Sequence, residues 1–439
     1  MQLNFKTYPI SEEIEHANCT FYTSLEQNAV KIPGKFTYQH NNGIFIDLME
    51  PIDFIDNMAL YAECEFGYYT FYNTRRRAPN LVNDRYFNTL FDADYMLSSR
   101  KFPSDNLFKR ISFSLVNLSA WFPKVDYKTK KKLPSRTITV PNTSTLTFDI
   151  SNSSITFKSE IMEKSVYNKL EFDLISSIII ESLLGKEFNV LLEIVYKYRT
   201  FFQLLSDSYS AFTEISIFDN NGERYRVYFV DLNSEKSLKW DTHHAPFIDF
   251  KTIKEYLPSV IKNWDRLYEE IRQVIDILIM EFNNYYLSPE VRFLNIARAI
   301  ETFHRKLRKD YKLTYVKEMD KWMQKVKNIG APKRHIKRIY NCFSFIKSPT
   351  LRERVNALCK ELNPATLVEL DLQDGWETKF TKSRNYYTHF GDFDKDVLKG
   401  EELRDLSNQV RKLLYVLVAK ELGIKEITIS DKLYRLTLI

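Results

Sequence analysis

The sequence predicts a two-domain α+β protein, in which a β-rich N-terminal domain precedes an all-α helical bundle. Three observations support this fold class. The 439 residues exceed the roughly 250–300 residues at which a single hydrophobic core stops growing. Apolar and polar residues alternate in much of the first half, whereas helical spacing dominates after about residue 251. We therefore predict domains at residues 1–248 and 249–439.

Hairpins and one helix are predicted in the first half. The hairpins span residues 36–46 and 215–230, and each contains the Asn-Gly dipeptide, which accepts the positive φ of a tight turn. Residues 144–157 alternate with a period of two, as in a half-exposed sheet. Apolar residues at helical spacing predict a helix over residues 191–205.

The second half is predicted to consist of helices. Their expected positions are residues 256–280, 289–308, 316–327, 351–361, 376–389 and 403–422. Ser288-Pro289-Glu290 is a suitable helix start, because proline is favoured at the first helical position. Gly423 is a suitable residue to follow the last helix.

The composition argues against several protein classes. The scattered cysteines Cys19, Cys64, Cys342 and Cys359 form no CxxC pair, which argues against a structural zinc site and a disulfide framework. The N-terminus lacks the pattern of a secretory signal. The apolar run Ile275–Met280 falls far short of the roughly 20 residues in a membrane span. We expect a soluble protein of the reducing cytoplasm that does not associate with membranes.

Positive charge is concentrated in the second half. Residues 251–439 contain 36 Lys and Arg against 26 Asp and Glu, whereas residues 1–250 contain 27 against 31. A polyanionic partner would therefore bind the C-terminal domain. The alternative is an ordinary solvated basic face.

Residues 304–347 carry much of this charge, Arg308 included. The residues singled out as RNA contacts are Arg305, Lys333, Arg334, Lys337 and Arg338. Such residues gain affinity by releasing counterions from phosphates. The interleaved aromatic residues are Tyr311, Tyr315, Trp322 and Tyr340. Exposed rings would stack on unpaired bases, and buried ones would form helix core.

Residues 383–389, Ser-Arg-Asn-Tyr-Tyr-Thr-His, are the best candidates for chemistry. On a helix, Asn385 and His389 share a face, whereas Arg384 lies about 140° from His389 at 100° per residue. Arg384 and His389 would therefore not converge easily within one chain. A two-fold partner would create a cleft with two Arg and two His. The alternative is a surface Arg and a His that caps the helix.

Such a cleft contains the groups that cleave RNA by internal attack. A base removes the 2′-hydroxyl proton, an acid protonates the leaving 5′-oxygen, and a cation stabilises the phosphorane. Histidine serves as base or acid near neutral pH, and arginine matches phosphate oxygens. Asparagine holds the His tautomer or donates to phosphate. No metal or other cofactor is required.

Residues 384–389 resemble the R-(N/D/H)-x₃-H motif of the HEPN (higher eukaryotes and prokaryotes nucleotide-binding) ribonucleases. As in that family, the motif lies on the penultimate major helix of a helical bundle. The whole chain resembles the ApeA-type anti-phage proteins, which join a distinct N-terminal domain to a HEPN domain. The segments that carry this resemblance are Ile32–Tyr38, Gly43–Leu48, Leu118–Phe122, Ile261–Tyr268 and Phe293–Arg305.

The resemblance implies a metal-independent endoribonuclease of abortive phage defence, with Arg384, Asn385 and His389 at the motif positions. We expect it to dimerise through the HEPN domain and to cleave RNA, with tRNA a reasonable substrate. The N-terminal domain would recognise a phage-derived trigger or hold the nuclease inactive. The alternatives are a catalytically silent RNA- or nucleotide-binding module and a protein-interaction scaffold.

Two further polar sets have alternative interpretations. Glu301 would face the cleft and position Arg384, or it would form a surface pair with Arg305, with His304 at the edge of the core. The segment Asp241–His244 contains metal-ligand residue types. Adjacent His side chains in an extended loop point apart, however, so we expect no metal there.

Overall fold

The computed structural model of the chain divides into two compact units, Met1–Lys251 and Thr252–Ile439. The structure describes residues 13–436 except for 28, 53–56, 78–80, 83–84, 87–88, 105, 123–127, 132–135, 140–142, 151, 167–168, 232–245, 284–286, 310, 312–315, 330–331, 347 and 391–394.

The first unit is rich in strands. They are β1 (Ile14–Tyr22), β2 (Ile32–Gln39), β3 (Gly43–Leu48), β4 (Leu60–Cys64), β5 (Gly67–Tyr72), β6 (Arg75–Arg76), β7 (Leu81–Val82), β8 (Arg85–Tyr86), β9 (Thr89–Ala93), β10 (Tyr95–Ser99), β11 (Leu107–Leu115), β12 (Lys128–Lys131), β13 (Arg136–Thr139), β14 (Thr143–Ile150), β15 (Ser153–Val166), β16 (Lys169–Glu187), β17 (Phe212–Asp219) and β18 (Arg224–Phe229). Its helices are α1 (Leu118–Trp121) and α2 (Phe188–Ser206).

Within the described ranges, 14 of these strands form one sheet in the order β14-β15-β16-β11-β17-β18-β10-β5-β4-β1-β2-β3-β9-β6. Neighbouring strands are antiparallel, as the hairpin signals predict. Both predicted hairpins are confirmed, as β2–β3 and β17–β18. The strands predicted in residues 144–157 and the helix in residues 191–205 are also confirmed.

Aromatic side chains form much of the core of this unit. Trp121 donates its indole N–H to the backbone oxygen of Ile248 at 2.8 Å. Its ring lies 5.3 Å from that of Phe250, 5.8 Å from that of Phe202 and 6.1 Å from that of Phe157. A buried tryptophan is most stable when its N–H has a partner, and this backbone oxygen provides one.

One cysteine pair corrects an expectation. Cys19 of β1 and Cys64 of β4 lie opposite each other in the sheet and form a disulfide bond. Their scatter along the sequence argued against cystine pairing, because 45 residues separate them. The antiparallel register brings the two residues together, and spacing alone does not reveal it.

The second unit is helical. Its helices are α3 (Phe250–Ile253, at the boundary), α4 (Leu257–Asn283), α5 (Pro289–Leu307), α6 (Val316–Asn328), α7 (Lys333–Ile346), α8 (Leu351–Cys359), α9 (Pro364–Glu369), α10 (Trp376–His389), α11 (Gly400–Glu421) and α12 (Glu426–Ser430), with 3-10 turns at Lys254–Tyr256 and Leu433–Arg435. The six predicted helices and the α+β fold class are confirmed. In the part of the chain that the structure describes, no helix combines the length and hydrophobicity that a bilayer crossing requires.

Helix α5 lies at the centre of this unit and packs against α4, α8, α10 and α11. Its buried side chains therefore extend round more than one stripe and include Phe293, Ala297, Ile300 and Phe303. The helix begins where the sequence predicts, because Ser288 accepts a hydrogen bond from the N–H of Val291. This central position lets α5 fix the helix that carries the motif.

Trp264 of α4 is fully buried, whereas Trp322 of α6 is 59% exposed. We expect Trp264→Ala to reduce the free energy of unfolding by about 3–5 kcal/mol, because it removes a large core side chain and leaves a cavity. The same substitution at Trp322 should change it by no more than about 0.5 kcal/mol. Urea unfolding followed by circular dichroism checks both, and equal losses would contradict this description of the core.

Candidate active site on helix α10

The inner face of α10 fixes the rotation of this helix. Trp376, Phe380 and Ser383 are buried, and the Phe380 ring lies 5.3 Å from that of Phe293 on α5. Ser383 accepts a hydrogen bond from the N–H of Leu398 at 2.9 Å. These contacts hold one face of α10 against the bundle, so the opposite face is directed outward.

The outward face displays the motif. Arg384 is half-buried and donates to the Asn385 side-chain oxygen and to Glu301 of α5, both at 3.1 Å. Asn385 and His389 are exposed. The imidazole of His389 makes no hydrogen bond or ion pair within the described residues. The structure therefore brings Arg384, Asn385 and Glu301 together and leaves His389 open at the end of the helix.

The pair of Arg384 and Glu301 serves orientation more than stability. Each side chain is 31% exposed, and such partly exposed ion pairs contribute at most about 1 kcal/mol. The two hydrogen bonds use only two of the five N–H donors of the guanidinium. Arg384 is thus held at a defined position and keeps donors that match the oxygens of a phosphate.

A polar network lies behind this pair. Arg354 of α8 donates to Nδ1 of His304 at 3.1 Å, and its charge also interacts with Glu301. His304 is 1% exposed. Burial, and then the positive charge of Arg354, lowers the pKa of His304 from 6.5 to about 4. His304 is therefore neutral near pH 7, and Nδ1 accepts while Nε2 carries the proton.

Arg308 differs from the other basic residues of the stretch 304–347 in its contacts. It donates to Glu361 at 2.6 and 2.7 Å and to Glu421 at 2.7 Å. The hydrogen bonds that the guanidinium donates to Glu361 and Glu421 raise its pKa above the ordinary value. Because both carboxylates hold this guanidinium between helices, its inclusion in the predicted RNA-binding stretch was wrong. Arg308 instead joins the C-terminal end of α5 to the segment that follows α8 and to α11.

The other predicted RNA contacts remain on the surface. These are Arg305, Lys333, Arg334, Lys337 and Arg338, all exposed. No described hydrogen bond or ion pair joins them to the motif. The segment Asp241–His244 lies outside the described residues. Within the ranges that the structure describes, no group of three or more His, Cys, Asp or Glu could hold a metal.

Asn385 and His389 of the motif are exposed, and Arg384 is half-buried. A cleft of about 420 Å³ lies elsewhere, along α11, and its lining includes Asp371, Arg404 and Lys412 but no motif residue. A small metabolite usually needs an enclosed, largely apolar pocket. A polymer can instead lie across an open helical face. The exposure of Asn385 and His389 therefore favours a large substrate.

Two residues of the site were not predicted. Arg354 lies on the stripe that Leu351, Val355 and Leu358 form at helical spacing, and a charge on such a stripe is a signal for a buried partner. Tyr387 donates its hydroxyl to the backbone oxygen of Leu398 at 2.9 Å. No sequence pattern indicates that contact, because the acceptor is a loop carbonyl.

The chain is similar to two families of known domains. The domain described as ApeA N-terminal domain 1 matches residues 18–264, which is more than half of the chain. The chain belongs to the ApeA family. The domain described as Apea-like HEPN matches residues 294–427, a range that contains Glu301 and the whole motif. No curated protein and no solved structure is significantly similar to the chain.

Membership in the ApeA family confirms the resemblance predicted from the sequence. It associates the chain with anti-phage defence and with a nuclease domain of the HEPN type. The first match covers most of the strand-rich unit and continues to residue 264 in α4, and the second match lies within the helical unit. The motif helix α10 lies within the HEPN match.

The low pKa of His304 predicts a loss of stability in acid. Folding holds this imidazole neutral, so below pH 6.5 the unfolded chain binds a proton that the folded protein does not bind until the pH nears about 4. The free energy of unfolding therefore decreases as the pH falls from 6.5 towards about 4. We expect His304→Gln, which cannot titrate there, to show a smaller decline in its urea midpoint across this range. His335→Gln replaces an exposed histidine and should follow the parent. Identical pH profiles for His304→Gln and the parent would refute this assignment.

Proposed function

We propose that this ApeA-family chain is a metal-independent endoribonuclease of abortive phage defence. Arg384, Asn385 and His389 would carry the reaction, with Glu301 as a positioning residue. The observation that supports this proposal best is the pairing of Arg384 with Glu301 beside an outward-facing Asn385 and His389. The HEPN match adds support, since HEPN domains generally act on RNA and dimerise.

The proposed reaction is an internal transfer within the RNA. An imidazole of His389 removes the 2′-hydroxyl proton, and the oxygen attacks the adjacent phosphorus. Arg384 and Asn385 donate to the phosphate oxygens as charge accumulates on the phosphorane. The bond to the 5′-oxygen then breaks, and a second His389, which begins the reaction as an imidazolium, gives its proton to that leaving oxygen. The products are a 2′,3′-cyclic phosphate and a 5′-hydroxyl.

The second imidazole would come from a second copy of the chain. Arg384 and His389 are separated by about 140° round α10, and one helix does not aim both at one phosphate. Phe390, which follows His389, is 81% exposed and has a left-handed backbone with φ of 48°. Such a large apolar side chain beside the motif is suited to burial against a twin. We therefore propose a homodimer in which two copies of α10 form one cleft.

The remaining parts of the chain receive supporting roles in this proposal. Residues 1–248 would form the sensor or regulatory domain for a phage-derived trigger, and residues 249–439 the nuclease domain. The exposed basic residues of the second domain would bind RNA phosphates. We propose tRNA in the cytoplasm as a substrate, since its loss stops translation.

We expect His389→Ala to reduce RNA cleavage by about 10²–10⁴-fold, as the loss of an acid–base group does. Arg384→Ala should cost about 10²–10³-fold, because a donor to the developing charge is lost. The measurement is cleavage of total RNA by purified protein in EDTA. Sequencing of RNA ends from phage-infected cells that express each variant extends it to conditions in which a trigger is present.

Arg352→Ala is a matched control. Arg352 also pairs with a glutamate, Glu377 at 3.3 Å, but it lies outside the motif. The Arg352→Ala variant should cleave RNA like the parent. Two results would instead support a catalytically silent binding module or a scaffold. One is equal cleavage by the parent and His389→Ala, and the other is no cleavage by either protein in infected cells.

We expect Phe390→Asp to produce a folded monomer without nuclease activity. Burial of one Phe side chain is worth about 1.5–3 kcal/mol, so its loss from both subunits should weaken the dimer more than tenfold. Sedimentation velocity and the RNA cleavage assay measure the two effects. Tyr434→Asp is the control, because Tyr434 is also highly exposed, at 70%. A Phe390→Asp monomer that retains full activity would exclude the composite cleft.

A further inference from the structure

Helices α6 and α7 form an arm (residues 316–346) that differs from the rest of the second unit. They pack against each other. Among the arm side chains that the structure describes, none is buried. Its exposed residues include Lys321, Trp322, Lys325, Lys327, Lys333 and Lys337. The described side chains of the arm are thus exposed or half-buried.

The charge of the arm favours a polyanion. Residues 316–346 contain eight Lys and Arg against two Asp and Glu, which gives a net charge of +6 and equals the net charge of the whole chain. Basic side chains so concentrated gain affinity by displacing counterions from phosphates. A protein partner would need an unusually acidic surface to match this charge.

Trp322 adds a second feature, which phosphate binding alone does not need. Its ring is 59% exposed, and the ammonium group of Lys325 lies 4.8 Å from the ring centroid. An exposed indole face stacks on a nucleobase, while the adjacent lysine is available to the neighbouring phosphate. In a duplex the base faces are covered by their neighbours. This combination therefore fits unpaired RNA.

Tyr311, which precedes α6 by five residues in the sequence, contacts α5, the helix whose Glu301 pairs with Arg384. The ring of Tyr311 lies 5.0 Å from that of His304, and its N–H donates to the Arg308 oxygen at 3.1 Å. Arg308 and Glu301 are seven residues apart, which corresponds to about 10 Å along a helix. The arm thus follows, in the chain, the helix that positions the motif arginine.

We infer that the arm captures single-stranded RNA or an RNA loop, with Trp322 stacked on one unpaired base and lysines on the flanking phosphates. This inference rests on the proposed function, since it assigns the substrate class of the same nuclease. It makes Trp322 a residue that distinguishes unpaired from paired RNA.

The test measures affinity for a 2′-O-methyl single strand of mixed sequence, which lacks the attacking hydroxyl and stays intact. The other ligands are an abasic strand of the same length and a duplex. The proteins are the full-length parent, Trp322→Ala, Trp322→Phe and Tyr434→Ala. Tyr434→Ala is the matched control, since Tyr434 is 70% exposed and Arg435 lies 5.7 Å from its ring centroid.

We expect Trp322→Ala to weaken binding of the single strand about tenfold or more, the range found for base–aromatic stacking. Trp322→Phe should retain most of the affinity because it keeps an aromatic face. Tyr434→Ala should bind like the parent. The parent and Trp322→Ala should bind the abasic strand with equal affinity, and the same should hold for the duplex, because neither ligand offers a free base.

Three results would overturn the inference. The first is equal affinity of the parent and Trp322→Ala for the single strand. The second is an equal loss with the abasic strand, which would show that Trp322 supports the arm rather than a base. The third is unchanged RNA affinity with a lower sedimentation coefficient for Trp322→Ala, which would assign the ring to contact between copies.

The assay separates this inference from the proposed nuclease activity. Trp322-dependent binding by a protein that leaves RNA uncut would support the arm and reject the nuclease. Cleavage that depends on His389, with no effect of Trp322→Ala on binding, would support the nuclease and reject the role of the arm.

Discussion

The second unit depends on the polar stripe of its central helix. Glu301 and His304 lie three residues apart on α5, a helix that packs against four others, and Arg308 follows directly after its last residue. Polar groups so enclosed are costly unless they have partners. The partners come from α8, α10 and α11. The need of these polar groups for partners thereby also orients the motif arginine.

The inner and outer faces of α10 have different roles. The inner face supplies Phe380 and Ser383 to the bundle, and the outer face supplies Arg384, Asn385 and His389 to the surroundings. Arg384 is positioned from within its own chain, whereas His389 has no such support in the described residues. In the proposed mechanism the imidazole becomes oriented only when substrate and a second copy are present. Assembly would therefore control catalysis directly.

The sequence predicts the strands and long helices well, because both have strong periodicity. Helix α7 was missed because the basic cluster at its start hides the apolar spacing, and α9 and α12 are too short to show a period. The disulfide between Cys19 and Cys64 depends on strand register, which spacing does not encode. Arg308 was assigned to RNA for a related reason. Its carboxylate partners lie 53 and 113 residues away.

The charge of the arm has a consequence for encounter with nucleic acid. Because the arm accounts for the entire net charge, the remainder of the chain is neutral overall, and the molecule has a strong electric asymmetry. Long-range attraction would rotate the protein during diffusion so that α6 and α7 meet a polyanion first. The association rate would then decrease steeply as added salt shortens the screening length.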